Sequence, residues 1–309
     1  MKRDGSKGAL SVGPLGGAEA ALPAPTRRII EGENLQVVAA LPAAFARLIY
    51  IDPPFNTGHE QQRKRIRVKH AADGERRHGF HGRRYSVTRL ASPSYQDRFG
   101  DSYLDVLMPR LEAGLRCLTP DGSLMVHLDA NEVHYVKVAL DELLGRDRFM
   151  NEIIWAYDYG ARPRTRWPAK HDTILWYALD PRKGRYVFNY DEIDRIPYMA
   201  PRLVGADKAE RGKTPTDVWW NTIVPTNSRE KTGYPTQKPL SILERIVRVH
   251  SNPRDTVLDF FAGSGTTGEA AARHDRGFVL VDSSAEACAI MRSRLAAWLN
   301  GAHGAPRDA

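Results

Sequence analysis

The sequence predicts an α/β protein built on a doubly wound, mostly parallel sheet. Apolar runs of strand length alternate with amphipathic runs of helical period along most of the chain. The stretch from Val257 to Asp282 reads as strand, glycine turn, helix, strand and acid. At 309 residues and 42% hydrophobic composition, the chain can cover both faces of such a sheet.

Each element carries its own signal. Residues 28–31 read as a short strand, and Asn34 is placed to cap a helix that starts at Leu35 and stops before Pro42. Residues 48–51 (LIYI) are the next strand. Residues 61–89 lack helical or strand period in this reading. They hold ten Lys and Arg against Asp73 and Glu75, and are expected to be a basic mobile loop within 58–95. From Tyr103 to Leu118, Leu104, Leu107, Met108, Leu111 and Leu115 share one helical face. Asp121–Gly122 marks a turn and residues 123–128 a strand. A second amphipathic helix over 131–144 is closed by Gly145. Residues 153–157 and 173–179 read as strands, and 184–232 as irregular and polar. A helix over 240–250, a strand over 256–260, a helix over 267–273, a strand over 277–281 and a helix over 285–299 complete the alternation.

Composition narrows the class. The formal charge of +8 favours a polyanionic partner. Cys117 and Cys288 are the only cysteines and sit in helix-like contexts, so packing is expected of them, with no disulfide framework and no metal site. No apolar run approaches the roughly 18 residues of a membrane span. Residues 1–26, rich in Gly, Ala and Pro, lack a signal-peptide core and are expected to be a disordered tail. The organisation expected is a tail, one domain over 27–299 and a second tail over 300–309, in the cytoplasm.

The glycine turn points to a nucleoside cofactor. Gly263 and Gly265 let the backbone turn tightly, and the following helix offers free N–H groups. Asp282 lies where a carboxylate grips ribose hydroxyls. Asp259, just before the turn, would repel a pyrophosphate but suits a cationic amino group. This favours S-adenosylmethionine over a dinucleotide.

The strand over 48–51 ends on Asp52 and is followed by Pro53, Pro54 and Phe55. Prolines cannot lie inside a central strand, so the chain stiffens just past a carboxylate.

DPPF at 52–55, TQKP at 236–239 and DFFAGSGTT at 259–267, in that order, resemble the β class of DNA amino-methyltransferases. In that circularly permuted group the catalytic tetrad precedes the cofactor motif. The resemblance covers about residues 28–299. It implies a Rossmann-like methyltransferase sheet, circularly permuted, with a target-recognition region inserted at about 151–235. It implies methyl transfer from S-adenosylmethionine to the exocyclic N6 of a flipped-out adenine in double-stranded DNA. The Asp-first tetrad is commoner among the family's adenine enzymes, and cytosine N4 is the alternative target. A non-catalytic DNA-binding protein and an RNA methyltransferase are further alternatives. A homodimer and a cognate restriction enzyme are compatible partners, and a membrane is not.

Site residues follow position by position from the resemblance. Asp52 and the Pro53 carbonyl would accept the two hydrogens of the target amine. Pro53 and Pro54 would hold that carbonyl rigidly, and Phe55 would stack the extruded base. Asp259 would meet the methionine amine, Phe261 the adenosine surroundings, and Gly263, Ser264, Gly265 and Thr266 the methionine and ribose. Asp282 would bind the ribose hydroxyls. Lys238, beside Thr236, would face the methionine carboxylate, and Glu33 the adenine. Asn56 and Thr57 would line the methyl-donor end. His127 and Asp129 end a strand on the same sheet edge and are further candidates. Arg63, Lys64, Arg65 and Arg67 are expected on DNA phosphates. Arg162, Arg164, Arg166 and Lys170, around Trp167, are expected in the recognition region. Most of the mid-chain tryptophans are expected in the core.

Overall fold

A computed structural model describes residues 25–56, 102–160, 162–225 and 228–301, together with the backbone of five short strands between 61 and 95. The proposed tails, apart from residues 25–26 and 300–301, lie outside the described residues.

The chain opens with β1 (Arg27–Glu31), α1 (Asn34–Ala40) and β2 (Ala46–Ile51). Five short strands follow: β3 (Gln61–Gln62), β4 (Arg65–His70), β5 (Arg77–His78), β6 (Arg84–Leu90) and β7 (Ser94–Tyr95). Next come α2 (Tyr103–Cys117), β8 (Leu118–Leu128), α3 (Val133–Leu144), β9 (Phe149–Ala156) and β10 (His171–Ala178). The last third holds α4 (Ala206–Arg211), β11 (Val218–Trp220), α5 (Leu240–His250), β12 (Thr256–Asp259), α6 (Thr266–Arg273), β13 (Gly277–Asp282), α7 (Ala285–Arg294) and α8 (Ala296–Leu299).

Among the described residues the main sheet has eight strands in the order β1-β13-β12-β2-β8-β10-β9-β11. The run from β1 to β8 is parallel throughout. β10 alone is reversed, antiparallel to both β8 and β9, while β11 runs parallel to β9. The core is double. Leu48, Tyr50, Met125, Val257 and Leu280 pack with α5, α6, α7 and α8 on one face. Ile49, Ile51, Val126, Leu258 and Val281 pack with α1, α2 and α3 on the other. Strand side chains alternate between faces, which explains why β2 and β12 are apolar at nearly every position.

Several boundaries differ from expectation for physical reasons. Glu33, not Asn34, caps α1, its carboxylate accepting from Gln36 N at 3.0 Å. The Asp121–Gly122 signal is realised as an irregularity inside β8, where pairing with β2 slips from Ala46↔Leu118 to Leu48↔Ser123. α3 starts at Val133 rather than 131, because Asp129 accepts from Asn131 N and holds a turn there. The closing helix breaks at Leu295 into α7 and α8. The polar stretch 184–232 contains α4 and the edge strand β11.

The basic segment is not without strands. β4 pairs with β6 and β6 with β5 in a separate antiparallel sheet, and β3 pairs with β7. Ile66 and Val68 alternate with Arg65, Arg67 and Lys69, a period-2 pattern hidden by the density of positive charge.

Candidate active site

The parallel strands end together, and their carboxyl ends form one edge of the sheet. β2 delivers Asp52 and the two prolines, β12 delivers Asp259 and the glycine turn, and β13 delivers Asp282. Neighbouring loops run to helices on opposite faces, which opens a crevice between them. A cavity of about 350 Å³ fills it, within the size range of small-molecule sites. Thirteen of the expected residues line it: Glu33, Asp52, Pro53, Pro54, Phe55, Thr236, Lys238, Asp259, Phe261, Gly263, Ser264, Thr266 and Asp282.

The turn after β12 is built for close approach. Gly265 holds φ +75°, a left-handed conformation, and caps α6. A Cβ there would lie 2.8 Å from Met291 Cγ. Gly265 therefore shapes the turn from behind and does not itself line the cavity. Gly263 N donates to Asp282 Oδ2 at 2.8 Å, and Ser284 N donates to Asp282 Oδ1 at 2.8 Å. Asp282 thus straps the glycine turn to the end of β13. Burial raises its pKa, and those two hydrogen bonds oppose the rise.

Asp259 is 2% exposed. Its oxygens accept from Phe261 N at 3.0 Å and from the Thr267 hydroxyl at 2.7 Å. Burial, reinforced by the charges of Asp52 and Asp282, pushes its carboxyl up to about 7. Four acidic side chains, Glu33, Asp52, Asp259 and Asp282, thus line one cavity, an arrangement that favours a cationic guest.

Lys238, expected opposite a cofactor carboxylate, pairs here with Asp52, Nζ to Oδ2 at 2.5 Å. The same ammonium lies 4.8 Å from the centre of the Phe55 ring. The other oxygen, Asp52 Oδ1, is buried and has no hydrogen-bond partner among the described residues. An unpaired buried acceptor at the wall of a cavity is a position for an N–H donor.

Glu33 stands at the far rim and is held by Arg110, whose Nη2 donates to Glu33 Oε1 at 2.5 Å and whose Nε donates to Asn34 Oδ1 at 2.5 Å. Asn34 in turn donates to the Phe260 carbonyl at 3.0 Å, tying α1 to the turn after β12. Asn56 does not line the cavity. It takes φ +54° and donates to Glu132 Oε1 at 2.7 Å, fixing the end of the DPPF segment against the start of α3. Thr57 lies outside the described residues.

His127 is fully buried, one strand from Asp52. Its Nδ1 is 2.7 Å from the Tyr50 hydroxyl and its Nε2 is 3.2 Å from Asp172 Oδ2. Tyr157 donates to Asp172 Oδ1 at 2.9 Å. Asp129 is turned to Asn131 and Glu132 instead, and does not line the cavity. Sequence reasoning missed Tyr50, Tyr157, Asp172 and Arg110. A hydroxyl inside the run LIYI and an acid at the head of HDTILWYA were the available signals.

The β9–β10 connection projects from this same edge, since Ala156 pairs with His171 and Thr173 with Leu128. Trp167 there is 93% exposed. Arg162 pairs with Asp158, and Lys170 donates to the carbonyls of Tyr159 and Gly160. Arg164 and Arg166 are exposed. Trp155, Trp176 and Trp219 are core residues, as expected, whereas Trp220 is exposed. Arg63 and Lys64 lie outside the described residues; Arg65 and Arg67 are on β4. Among the described residues no cluster of metal-ligating side chains occurs, and no helix is long and apolar enough to cross a membrane.

A family model described as DNA methylase, of the N6/N4 type, matches residues 46–293. The chain is 31% identical over 201 residues to the type II methyltransferase M.HpaI of Haemophilus parainfluenzae, covering 65% of this chain and 62% of that one. It is 26% identical over 273 residues to the DNA adenine methyltransferase YhdJ of Escherichia coli strain K12, covering 84% and 79%. The chain spans about three-fifths of the length of the first curated relatives it matches. Among solved structures, it resembles the PvuII DNA methyltransferase (cytosine-N4-specific) with a TM-score of 0.60 and 16% identity, over 88% of this chain and 86% of that one. It also resembles M1.HpyAVI in complex with SAM, with a TM-score of 0.54 and 20% identity, over 87% and 99%. At such identities these two likenesses establish a shared fold.

Proposed function

Because the chain belongs to the N6/N4 DNA methylase family, we propose that it transfers a methyl group from S-adenosylmethionine to the exocyclic N6 of adenine in double-stranded DNA. The observation that carries the reading is Asp52, which lines an acid-rich cavity together with Pro53, Pro54 and Phe55 and whose Oδ1 has no hydrogen-bond partner among the described residues. An exocyclic amine is a poor nucleophile, because its lone pair is delocalised into the ring. A carboxylate oxygen and a rigid carbonyl that accept its two hydrogens favour the pyramidal nitrogen that attack requires. Asp52 and Pro53 are placed for this, and the proline-stiffened backbone keeps the acceptors in position before substrate arrives. Phe55 offers a ring face for the extruded base.

The residues present fit the cofactor. Its sulfonium and ammonium charges match the carboxylates of Asp52, Asp259 and Asp282, and the turn over 261–264 lines the cavity wall. The bound cofactor supplies an electrophilic methyl group. The chain orients it through Asp259, Asp282 and the glycine turn, with Glu33 and Phe261 on the adenosine side and Thr236 and Thr266 along the wall. The exposed basic and aromatic side chains of the β9–β10 connection lie on the edge where DNA would have to approach.

Cytosine N4 is the second reading. YhdJ is described as an adenine enzyme and the PvuII enzyme as a cytosine-N4 enzyme. The Asp-first tetrad and the higher identity to YhdJ, 26% against 16%, favour adenine. The test is methylation of duplex DNA with the purified chain and tritiated cofactor, followed by digestion and chromatography. Label in N6-methyladenine supports the reading. Label in N4-methylcytosine replaces it with the second, and no label in DNA overturns both.

A further inference from the structure

Four side chains, one from each of four adjacent strand positions, form a hydrogen-bonded line across the sheet just below the candidate active site. Tyr50 belongs to β2, His127 to β8 and Asp172 to β10, and Tyr157 follows β9 directly. The order β2-β8-β10-β9 makes these strands immediate neighbours. The line runs from the strand that delivers Asp52 to the root of the exposed β9–β10 connection.

Its polarity can be read from the acceptor end. Asp172 is ionised: burial opposes this, but the hydrogen bonds from His127 and Tyr157 and the positive charge of Lys238 outweigh it and lower its pKa. A carboxylate only accepts, so His127 Nε2 carries a hydrogen and Tyr157 donates. In the singly protonated ring, Nδ1 then presents its lone pair. The Tyr50 hydroxyl must donate to it, and its remaining capacity is as an acceptor. Tyr50 lines the cavity beside Asp52, Lys238 and Asp259. His127 is also 6.0 Å from the Phe55 ring and 5.5 Å from the Trp155 ring, so the imidazole is fixed by packing as well as by hydrogen bonds.

The geometry points to His127 and Asp172 as a positioning pair that turns the Tyr50 hydroxyl hydrogen away from the cavity, so that Tyr50 offers the cavity an acceptor-only oxygen for an amino donor. The donor is the cofactor's amino group or the amine of the target base, and this inference rests on the proposed methyl transfer at Asp52. Neither member of the pair touches substrate. They act by fixing which way one hydrogen points.

The Asp172→Asn variant keeps the shape and reverses the line. With its amide oxygen kept on the Tyr157 hydroxyl, where Asp172 Oδ1 now accepts, its amide nitrogen donates to His127 Nε2, the ring hydrogen moves to Nδ1, and the Tyr50 hydroxyl is driven to donate into the cavity against another donor. An analogous carboxylate-to-amide change in a catalytic triad is known to act through the wrong tautomer. The experiment uses the full chain at pH 8, with folding checked by thermal melting. Single-turnover methyl transfer, KM for DNA and the Kd of S-adenosylhomocysteine are measured for Asp172→Asn, Tyr50→Phe, Tyr157→Phe and the Asp172→Asn/Tyr50→Phe double variant.

Asp172→Asn is expected to slow transfer by on the order of 10- to 100-fold, as loss of outer hydrogen-bond partners commonly does. Adding Tyr50→Phe should restore part of that loss, because the misdirected hydroxyl is gone; Tyr157→Phe should stay within about threefold of the parent, on the scale of one modest hydrogen bond. A weaker Kd for S-adenosylhomocysteine in Tyr50→Phe assigns the donor to the cofactor. An unchanged Kd with a slower transfer step assigns it to the base. The inference is overturned if Asp172→Asn is equally slow with Phe at position 50, or if Tyr157→Phe is as damaging as Asp172→Asn. If Asp172→Asn does not fold, Tyr50→Phe decides alone, and parental Kd and rate overturn the inference. An Asp52→Ala control separates the two levels. Full activity there refutes the site reading, whereas the coupling between positions 50 and 172 stands or falls on its own cycle.

Discussion

Lys238 and Asp52, 186 positions apart in sequence, meet at 2.5 Å in the lining of the cavity. Each side chain is largely buried, at 10% and 17% exposure. The pair joins the TQKP and DPPF segments, so one contact links the residue expected to hold cofactor to the residue expected to hold the target amine.

Asp52→Ala is expected to slow methyl transfer by about 10²- to 10³-fold, the usual cost of removing one positioned polar group at a reacting centre. The Kd of S-adenosylhomocysteine should change by no more than a few-fold. Lys238→Ala should instead weaken that Kd by about tenfold, the scale of a charge-assisted hydrogen bond. Tritiated methyl transfer and calorimetric titration measure the two effects. Near-normal turnover by Asp52→Ala would remove it from the catalytic role.

Asp259 predicts an unusual dependence on pH. Its folded pKa of about 7 lies above the ordinary value of 3.8. Between those values the folded chain holds a proton that the unfolded chain has released. The contribution of this group to stability is therefore fully present below about pH 3.8 and is lost as pH rises through about 7. The full span corresponds to on the order of 4 kcal/mol. Asp259→Asn should consequently raise the melting temperature of the ligand-free protein at pH 8 while weakening cofactor binding. Binding of a cationic group beside Asp259 should release a proton near pH 6.5. Calorimetry in buffers of different ionisation enthalpy detects it, and proton uptake would contradict the assignment.

Arg110→Met should loosen the adenosine side of the cavity. The change removes donors to Glu33 and Asn34. Both partners of the ion pair are partly solvated, so the stability loss should be only about 1 kcal/mol. Affinity for S-adenosylhomocysteine should fall several-fold with the transfer step little changed. A slower transfer step at unchanged affinity would move Arg110 out of the cofactor's surroundings.

Replacing Arg63, Lys64, Arg65 and Arg67 together by Ala should weaken binding to all DNA sequences alike. For every phosphate that these side chains no longer neutralise, the slope of log K against log salt should become shallower by about 0.9. Sequence preference should survive, because side chains on phosphates position the duplex without specifying its bases. Retention of the parental slope would make the segment a solvated surface only, and an altered methylated sequence would make it a reader of bases.

The readable part of this molecule is the part written locally. Asp52, its prolines and the glycine turn are contiguous segments whose chemistry needs no partner to be recognised, and the structure brings them to one cavity. The Tyr50–His127–Asp172 line was not readable, because it exists only once β2, β8 and β10 adopt their register. His127 stood out as a histidine at a strand end, but its partners lie 77 and 45 positions away. Glu33 caps α1 although propensity favours the neighbouring Asn34, because Asn is the commoner cap. β11 was missed because Val218–Trp220 is three residues long and is ordered by pairing with β9 rather than by its own pattern.

The pairing of β1 with β13 has a consequence for how the protein is made. Arg27 donates to the Trp298 carbonyl across 271 residues, and among the described residues β1 pairs within the sheet with β13 alone. During synthesis β2 emerges early and can pair with β8, but its other edge awaits β12. Until the last third of the chain is translated, that edge stays open as a template for other strands. Pairings of such sequence separation also close slowly. Newly made chains should therefore pass through a vulnerable interval, in which β2 is formed and β12 and β13 are not, and holdase chaperones or a lower growth temperature should raise the yield of folded protein.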